Sequence, residues 1–122
     1  MVLFAFTGDG KVCMEAVEPG TAVTSEIYIE FLRKVGDKWR TLRSSPTRLN
    51  QLIWMHDNAR PHTAASTMEF LEKRNVTCIK QAPYSPDLNM CDRWIFKELK
   101  KHLRNCSIQS KDDVVSEALQ WF

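Results

Sequence analysis

The first part of the chain is patterned as strands. Val2 to Thr7 is apolar and β-prone, Gly8-Asp9-Gly10-Lys11 is a tight-turn signal, and Val12 to Val17 returns as a second strand, so a hairpin is predicted. Pro19-Gly20 ends it. The period then lengthens: Thr24 or Ser25 can cap a helix in which Ile27, Phe31, Leu32, Val35 and Trp39 recur at near-helical spacing, with Gly36 weakening its second half. Residues 43 to 50, with two serines, Pro46 and Asn50, read as a loop. Leu52-Ile53-Trp54-Met55 is an apolar run of buried-strand type. Pro61 suits a first helical turn, and that helix is expected to reach Arg74, bury Met68 and Leu71, and close at Asn75. Val76 to Ile79 is a fourth strand. Gln81 to Asn89 holds Pro83 and Pro86 and is read as irregular. A helix then spans Asp92 to Arg104. A final one follows Ser110, which caps with Asp113 and uses Val114, Val115, Ala118 and Leu119. The order is ββαβαβαα, an α/β fold.

Composition narrows the picture only modestly. The 122 residues are 43% hydrophobic and 26% charged, as in one globular domain or part of one. A net charge of +2 does not by itself argue for nucleic acid. Cys13, Cys78, Cys91 and Cys106 form no Cys-x-x-Cys pair and read as reduced thiols of an intracellular protein. His56, His62 and His102 show no zinc-ligand spacing. No apolar run approaches the roughly 20 residues needed to cross a bilayer, and no signal peptide is visible.

The candidate chemistry centres on two acids. Asp57 falls just past the strand that ends at Met55, where open α/β sheets place their ligand sites. Asp92 comes after 34 intervening residues and opens a helix whose dipole favours a negative charge there. On that helix Asp92 lies one turn ahead of Phe96, Leu99 and Leu103, whose apolar face should pack on the sheet. Taken singly, Asp57 reads as an Asx-turn residue and Asp92 as a helix cap. Together they form a pair able to hold a divalent cation.

These motifs carry a resemblance. His56-Asp57-Asn58-Ala59-Arg60-Pro61-His62-Thr63-Ala64, then Tyr84-Ser85-Pro86-Asp87-Leu88, then Asp92 with Phe96 four residues on, resemble the catalytic domain of mariner transposases, within the mariner and Tc1 superfamily of DDE/D enzymes. The hairpin and Pro19-Gly20 followed by Thr24-Ser25-Glu26-Ile27-Tyr28 extend the likeness over nearly the whole chain. An Asp at the last catalytic position, with 34 residues between it and the preceding one, is the mariner form, whereas Tc1 elements carry Glu. Asn89 leans towards Tc1 wording, and Asn89-Met90-Cys91 replaces the Ala-Pro-Ser usual before the mariner acid.

The resemblance implies a ribonuclease-H-like fold and metal-dependent DNA strand cleavage and strand transfer. Asp57 and Asp92 would be the second and third catalytic, metal-binding acids, with two Mg²⁺ or Mn²⁺ ions in the intact enzyme and no small-molecule cofactor. It also implies transposon-end and target DNA as partners, a homodimer in the intact protein and a nuclear location. Arg60 and His62 beside the acids, and Lys97, Lys100, Lys101 and Arg104 along the last-acid helix, would be DNA contacts; Arg60 equally suits pairing with a local carboxylate, and a solvated basic stripe is the plainer reading of the latter four.

The first family acid has no counterpart here. Asp9, the early candidate, falls in the hairpin turn and reads as a turn residue. The expectation is therefore a partial catalytic domain over residues 1–122, with its first strand missing and no helix-turn-helix DNA-binding domain, marginally stable and catalytically silent alone. That strand would lie between the hairpin and the strand leading to Asp57, so two strand pairs should stand apart. The alternative is a domesticated, non-catalytic DNA-binding or interaction module, as in a SET-domain methyltransferase–transposase fusion.

Overall fold

The computed structural model describes residues 1–42 and 49–121. Strands β1 (Val2–Thr7) and β2 (Gly10–Ala16) form an antiparallel hairpin, with Asp9 exposed in its turn as expected. The register shifts beyond Ala5: Phe6 pairs with Lys11 while Ala5 pairs with Cys13, so Val12 is an additional residue on β2. The second strand thus begins two residues earlier than its apolar pattern indicates.

Helix α1 (Ser25–Leu42) lies on this hairpin. Thr24 Oγ1 accepts the Ile27 N–H at 3.3 Å, the capping contact expected of a threonine there. The helix continues through Gly36 to Leu42, because Phe31, Leu32, Val35 and Trp39 make a buried stripe on both sides of the glycine. Of the predicted loop over residues 43 to 50, residues 43 to 48 lie outside the described residues, and Leu49–Gln51 is a 3₁₀ turn.

Strands β3 (Ile53–Met55) and β4 (Thr77–Ile79) pair in parallel and share no hydrogen-bonded neighbour with the hairpin. Two strand pairs thus stand apart among the described residues, as the family resemblance implies. The single helix expected from Pro61 is two: α2 (Arg60–Thr63) and α3 (Ala65–Lys73), divided at Ala64, whose backbone is extended (φ −58°, ψ 144°). Thr67 Oγ1 donates to the Pro61 carbonyl at 2.6 Å and binds the two pieces. The break turns α3 so that Thr67, Phe70 and Leu71 are buried, while Met68 is 40% exposed, contrary to expectation. Asn75 closes the segment in a left-handed conformation (φ 54°) that asparagine tolerates.

One core joins these parts. Ala5, Val12 and Cys13 from the hairpin, the α1 stripe, and Phe70 and Leu71 from α3 interlock, with Trp54, Val76 and Cys78 packed at the edge. The two-proline segment is irregular apart from a 3₁₀ turn at Pro86–Leu88. Helix α4 (Phe96–Arg104) comes next, then α5 (Lys111–Trp121). Ser110 and Asp113 form the expected reciprocal cap on α5: the Asp113 N–H donates to Ser110 Oγ and the Ser110 N–H to Asp113 Oδ2. Ala118 is the buried residue of α5, whereas Leu119 is 43% exposed rather than part of the expected apolar face. Among the described residues, no helix is long and apolar enough to cross a membrane.

Candidate functional site

Asp57 and Asp92 line the same open cleft, of about 900 Å³. Asp57 reaches it from the C-terminal end of β3, and its side chain is 51% exposed. Its Oδ1 accepts the Ala59 N–H at 3.0 Å, an Asx-type turn, and the His62 Nδ1–H at 2.7 Å. Both bonds fall on Oδ1, and Oδ2 takes part in neither. Asn58 Nδ2 donates to the Gln81 carbonyl at 2.9 Å, tying the loop after β3 to the loop after β4 across the cleft wall.

Asp92 arrives by a less regular route than the sequence indicates. It sits not in the first turn of an α-helix but in a π-helical turn, Cys91–Ile95, where the Phe96 N–H donates to the Cys91 carbonyl. Buried Asn89 sets this turn: its Oδ1 accepts the Cys91 N–H at 3.0 Å and its carbonyl accepts the Arg93 N–H at 2.9 Å. One extra residue in a turn rotates the downstream side chains by about 100°. Ile95 therefore points inward, 2% exposed, and the predicted face of Phe96, Leu99 and Leu103 does not become a buried stripe. Phe96 is 37% exposed and packs edge-on to Phe4 of the hairpin, at a centroid distance of 5.3 Å. Trp94 is half exposed and lies 6.0 Å from the Phe6 ring. Single π turns concentrate at functional positions.

The acids' fields meet at a third side chain. Burial pushes the Cys91 thiol up to about 11, and the negative charges of Asp92 and Asp57 both add to the shift. Behind Asp57 lies a packed relay of rings. Trp54 Nε1 donates to the Tyr28 hydroxyl at 3.3 Å, and that hydroxyl, 2.9 Å from His56 Nδ1, donates onward. Burial first, and the neighbouring His62 second, push His56 down to about 4, so it is a neutral acceptor near pH 7. His62 stacks on His56 at 5.1 Å and lies 4.1 Å from the Tyr28 ring.

The DNA contacts expected from the sequence divide. His62 is turned inward to Asp57, whereas Arg60 is exposed at the start of α2. Lys97, Lys100, Lys101 and Arg104 are exposed along α4 and line none of the cleft. The lining also includes residues given no role from the sequence, among them Lys80, just past β4, and Tyr84, fully exposed with a left-handed backbone (φ 54°). A lone lysine after a strand carries no sequence signal; an aromatic between two prolines is a weak one.

Residues 2–115 match the family model of the DDE superfamily endonucleases. The chain is 29% identical over 113 residues to the Homo sapiens histone-lysine N-methyltransferase SETMAR, covering 93% of this chain and 16% of that protein. It is 28% identical over 114 residues to the mariner Mos1 transposase of Drosophila mauritiana, covering 93% of this chain and 33% of that one. It thus spans well under half the length of either relative. A pre-cleavage Mos1 transpososome superposes with a TM-score of 0.87 at 26% identity, over 99% of this chain and 36% of the other. The Mos1 catalytic domain solved with Mn superposes with a TM-score of 0.85 at 26% identity, over 99% of this chain and 61% of the other. The same domain has been solved with Mg. The fold is the ribonuclease-H-like α/β fold expected from the sequence, and the mariner-type likeness holds across the chain.

Proposed function

This chain belongs to the DDE superfamily endonucleases, and from that premise we propose that it is the catalytic part of a mariner-type DNA transposase. In this reading Asp57 and Asp92 are two of the acids that hold Mg²⁺ or Mn²⁺ for strand cleavage and strand transfer. The observation that supports it most directly is that both carboxylates, from separate elements, line one solvent-open cleft. Carboxylate oxygens are the donor class that Mg²⁺ and Mn²⁺ prefer, and partial exposure leaves room for the waters that Mg²⁺ keeps. Bound there, two such ions would lower the pKa of an attacking water or 3′-hydroxyl and relieve charge on the leaving oxygen.

The chain's own residues do the rest. Ala59 and His62 fix one oxygen of Asp57, and Asn89 fixes the turn that presents Asp92. Lys80 and Arg60 supply cations for phosphates, and Lys97, Lys100, Lys101 and Arg104 extend that charge along α4. Tyr84 offers an exposed ring on which a base can stack. Residues 1–122 are then part of a catalytic domain acting on transposon ends and target DNA, in the nucleus and as a homodimer. Two acids, Asp57 and Asp92, line the cleft among the described residues, so the chain alone is expected not to nick plain duplex DNA in Mg²⁺.

Mn²⁺ binding followed by electron paramagnetic resonance tests the assignment. Asp57→Asn and Asp92→Asn should each weaken binding by about tenfold or more with the fold retained, since each removes a charged ligand. Unchanged Mn²⁺ binding in both variants would refute it. A second reading is a non-catalytic DNA-binding or interaction module; the match to 16% of a histone-lysine N-methyltransferase is compatible with such a segment inside a larger protein. That reading requires DNA binding that survives loss of both acids and does not depend on the metal.

A further inference from the structure

The far end of α4 holds a second cluster of ligating atoms, on side chains that the cleft does not use. His102 lies in the last turn of α4, Cys106 stands four positions on, just past its end, and Glu117 reaches them from α5. Cys106 Sγ lies 3.6 Å from His102 Nε2 and 3.3 Å from Glu117 Oε2, and those last two atoms are 3.6 Å apart. In a tetrahedral zinc site the metal–ligand distances are about 2.3 Å to sulfur and 2.0–2.2 Å to nitrogen and oxygen, which places ligand atoms about 3.5–3.7 Å apart where one is sulfur and about 3.3–3.6 Å apart otherwise. The two separations from His102 fall in those ranges, and the 3.3 Å between Cys106 and Glu117 is slightly shorter, so loading would spread that pair by a few tenths of an ångström. The geometry points to a cation site of the zinc class, with three ligands from the chain and the fourth position left to water.

The chemistry of the donors supports that class. A thiolate, an imidazole and a carboxylate suit Zn²⁺ or Co²⁺ and are a poor match for Mg²⁺, which seeks an all-oxygen shell. Thiolate and carboxylate together cancel the charge of a divalent ion, with His102 neutral. His102 and Glu117 are each about one-third exposed (35% and 34%), so the ion has an entry path and its fourth position meets solvent. Without metal, the Cys106 thiol donates to Glu117, so loading releases that proton to solvent. The site joins α4 to α5, and a bound ion would fasten one helix to the other.

Histidine and cysteine four residues apart are too sparse for a zinc pattern in the sequence. The third ligand comes from the next helix, 11 positions after Cys106. The site is also independent of Asp57 and Asp92, which carry only hard oxygen donors.

The test is Co²⁺ titration of the reduced 122-residue chain, read by absorbance, with Zn²⁺ competition and thermal unfolding alongside. One Co²⁺ per chain should produce a thiolate-to-cobalt charge-transfer band with tetrahedral visible bands, displaced by Zn²⁺ and not by Mg²⁺. Cys106→Ser should abolish the charge-transfer band, and Glu117→Gln should weaken affinity by about tenfold or more. Zn²⁺ should raise the Tm of the unsubstituted chain and leave that of Cys106→Ser unmoved. Asp57→Asn should keep the band, which separates this site from the cleft. No charge-transfer band, or a band that survives Cys106→Ser, overturns the proposal.

Discussion

His62 Nδ1 lies 2.7 Å from Asp57 Oδ1, and the same imidazole packs against the rings of both Tyr28 and His56. The carboxylate at the cleft is thereby oriented by a side chain that reaches back to the core, since Tyr28 is 3% exposed. Outer-shell partners of this kind are worth about 10–100-fold in metal affinity. His62→Ala is expected to weaken Mn²⁺ binding within that range while leaving the far-ultraviolet circular dichroism unchanged. His62→Gln, which keeps a donor, should recover part of the loss. An Ala variant that binds Mn²⁺ like the unsubstituted chain would remove the positioning role.

Tyr28 is expected to make the core sensitive to alkali. Its hydroxyl accepts from Trp54 and donates to His56, so Tyr28→Phe strands two polar groups at about 1–3 kcal/mol. Burial pushes the phenol of Tyr28 well above its ordinary value of 10. A raised folded-state pKa gives stability that is complete below the unfolded value, near pH 10, and is lost as pH climbs from there towards the folded value. Urea midpoints should therefore fall above about pH 10 in the unsubstituted chain and less steeply in Tyr28→Phe. Parallel alkaline limbs would show that Tyr28 is not the group responsible.

The parts that were legible in the sequence are those where one local rule governs. The hairpin is dictated by Gly8-Asp9-Gly10, α1 by its apolar stripe, and the start of α5 by the Ser110–Asp113 box. Asp57 was legible because a short apolar strand precedes it. The features that escaped depend on single residues that shift a helix by a fraction of a turn. Ala64 breaks the helix after Pro61 and exposes Met68, and the π turn at Cys91–Ile95 exchanges Ile95 for Phe96 as the buried side chain. Neither alanine nor the Cys91-Asp92-Arg93-Trp94 stretch signals irregular backbone, so a uniform 3.6-residue period extends through both in the sequence pattern. The His102, Cys106 and Glu117 cluster was illegible for a different reason, since it exists only once two helices pack.

Ile95 ties that π turn to the fold. It is 2% exposed, the most deeply buried side chain of its segment, and it lies three residues after Asp92. Ile95→Ala should cost about 2–5 kcal/mol, and Ile95→Val about 0.5–1.5 kcal/mol, by chemical denaturation. The turn that it anchors also aims Asp92, so Mn²⁺ affinity should fall in Ile95→Ala even at temperatures where the chain stays folded. A destabilised variant with unchanged Mn²⁺ affinity would mean that Asn89 alone sets the position of Asp92.

The cap of α5 should respond to acid in a defined direction. Hydrogen bonds from the Gln109 and Ser110 N–H groups hold the Asp113 carboxyl below its ordinary value of 3.8. A depressed folded-state pKa gives stability that is present above the unfolded value and lost as pH falls through the folded one. The amide resonances of Gln109 and Ser110 should therefore stay fixed from neutral pH down to about pH 4 and move only below it. Because α5 carries Glu117, Asp113→Ala should loosen the first turn at neutral pH and weaken Co²⁺ binding at the α4–α5 cluster, with the charge-transfer band retained. Amides that titrate at or above the ordinary carboxylate range would show that the side chain of Asp113 does not cap this helix in solution.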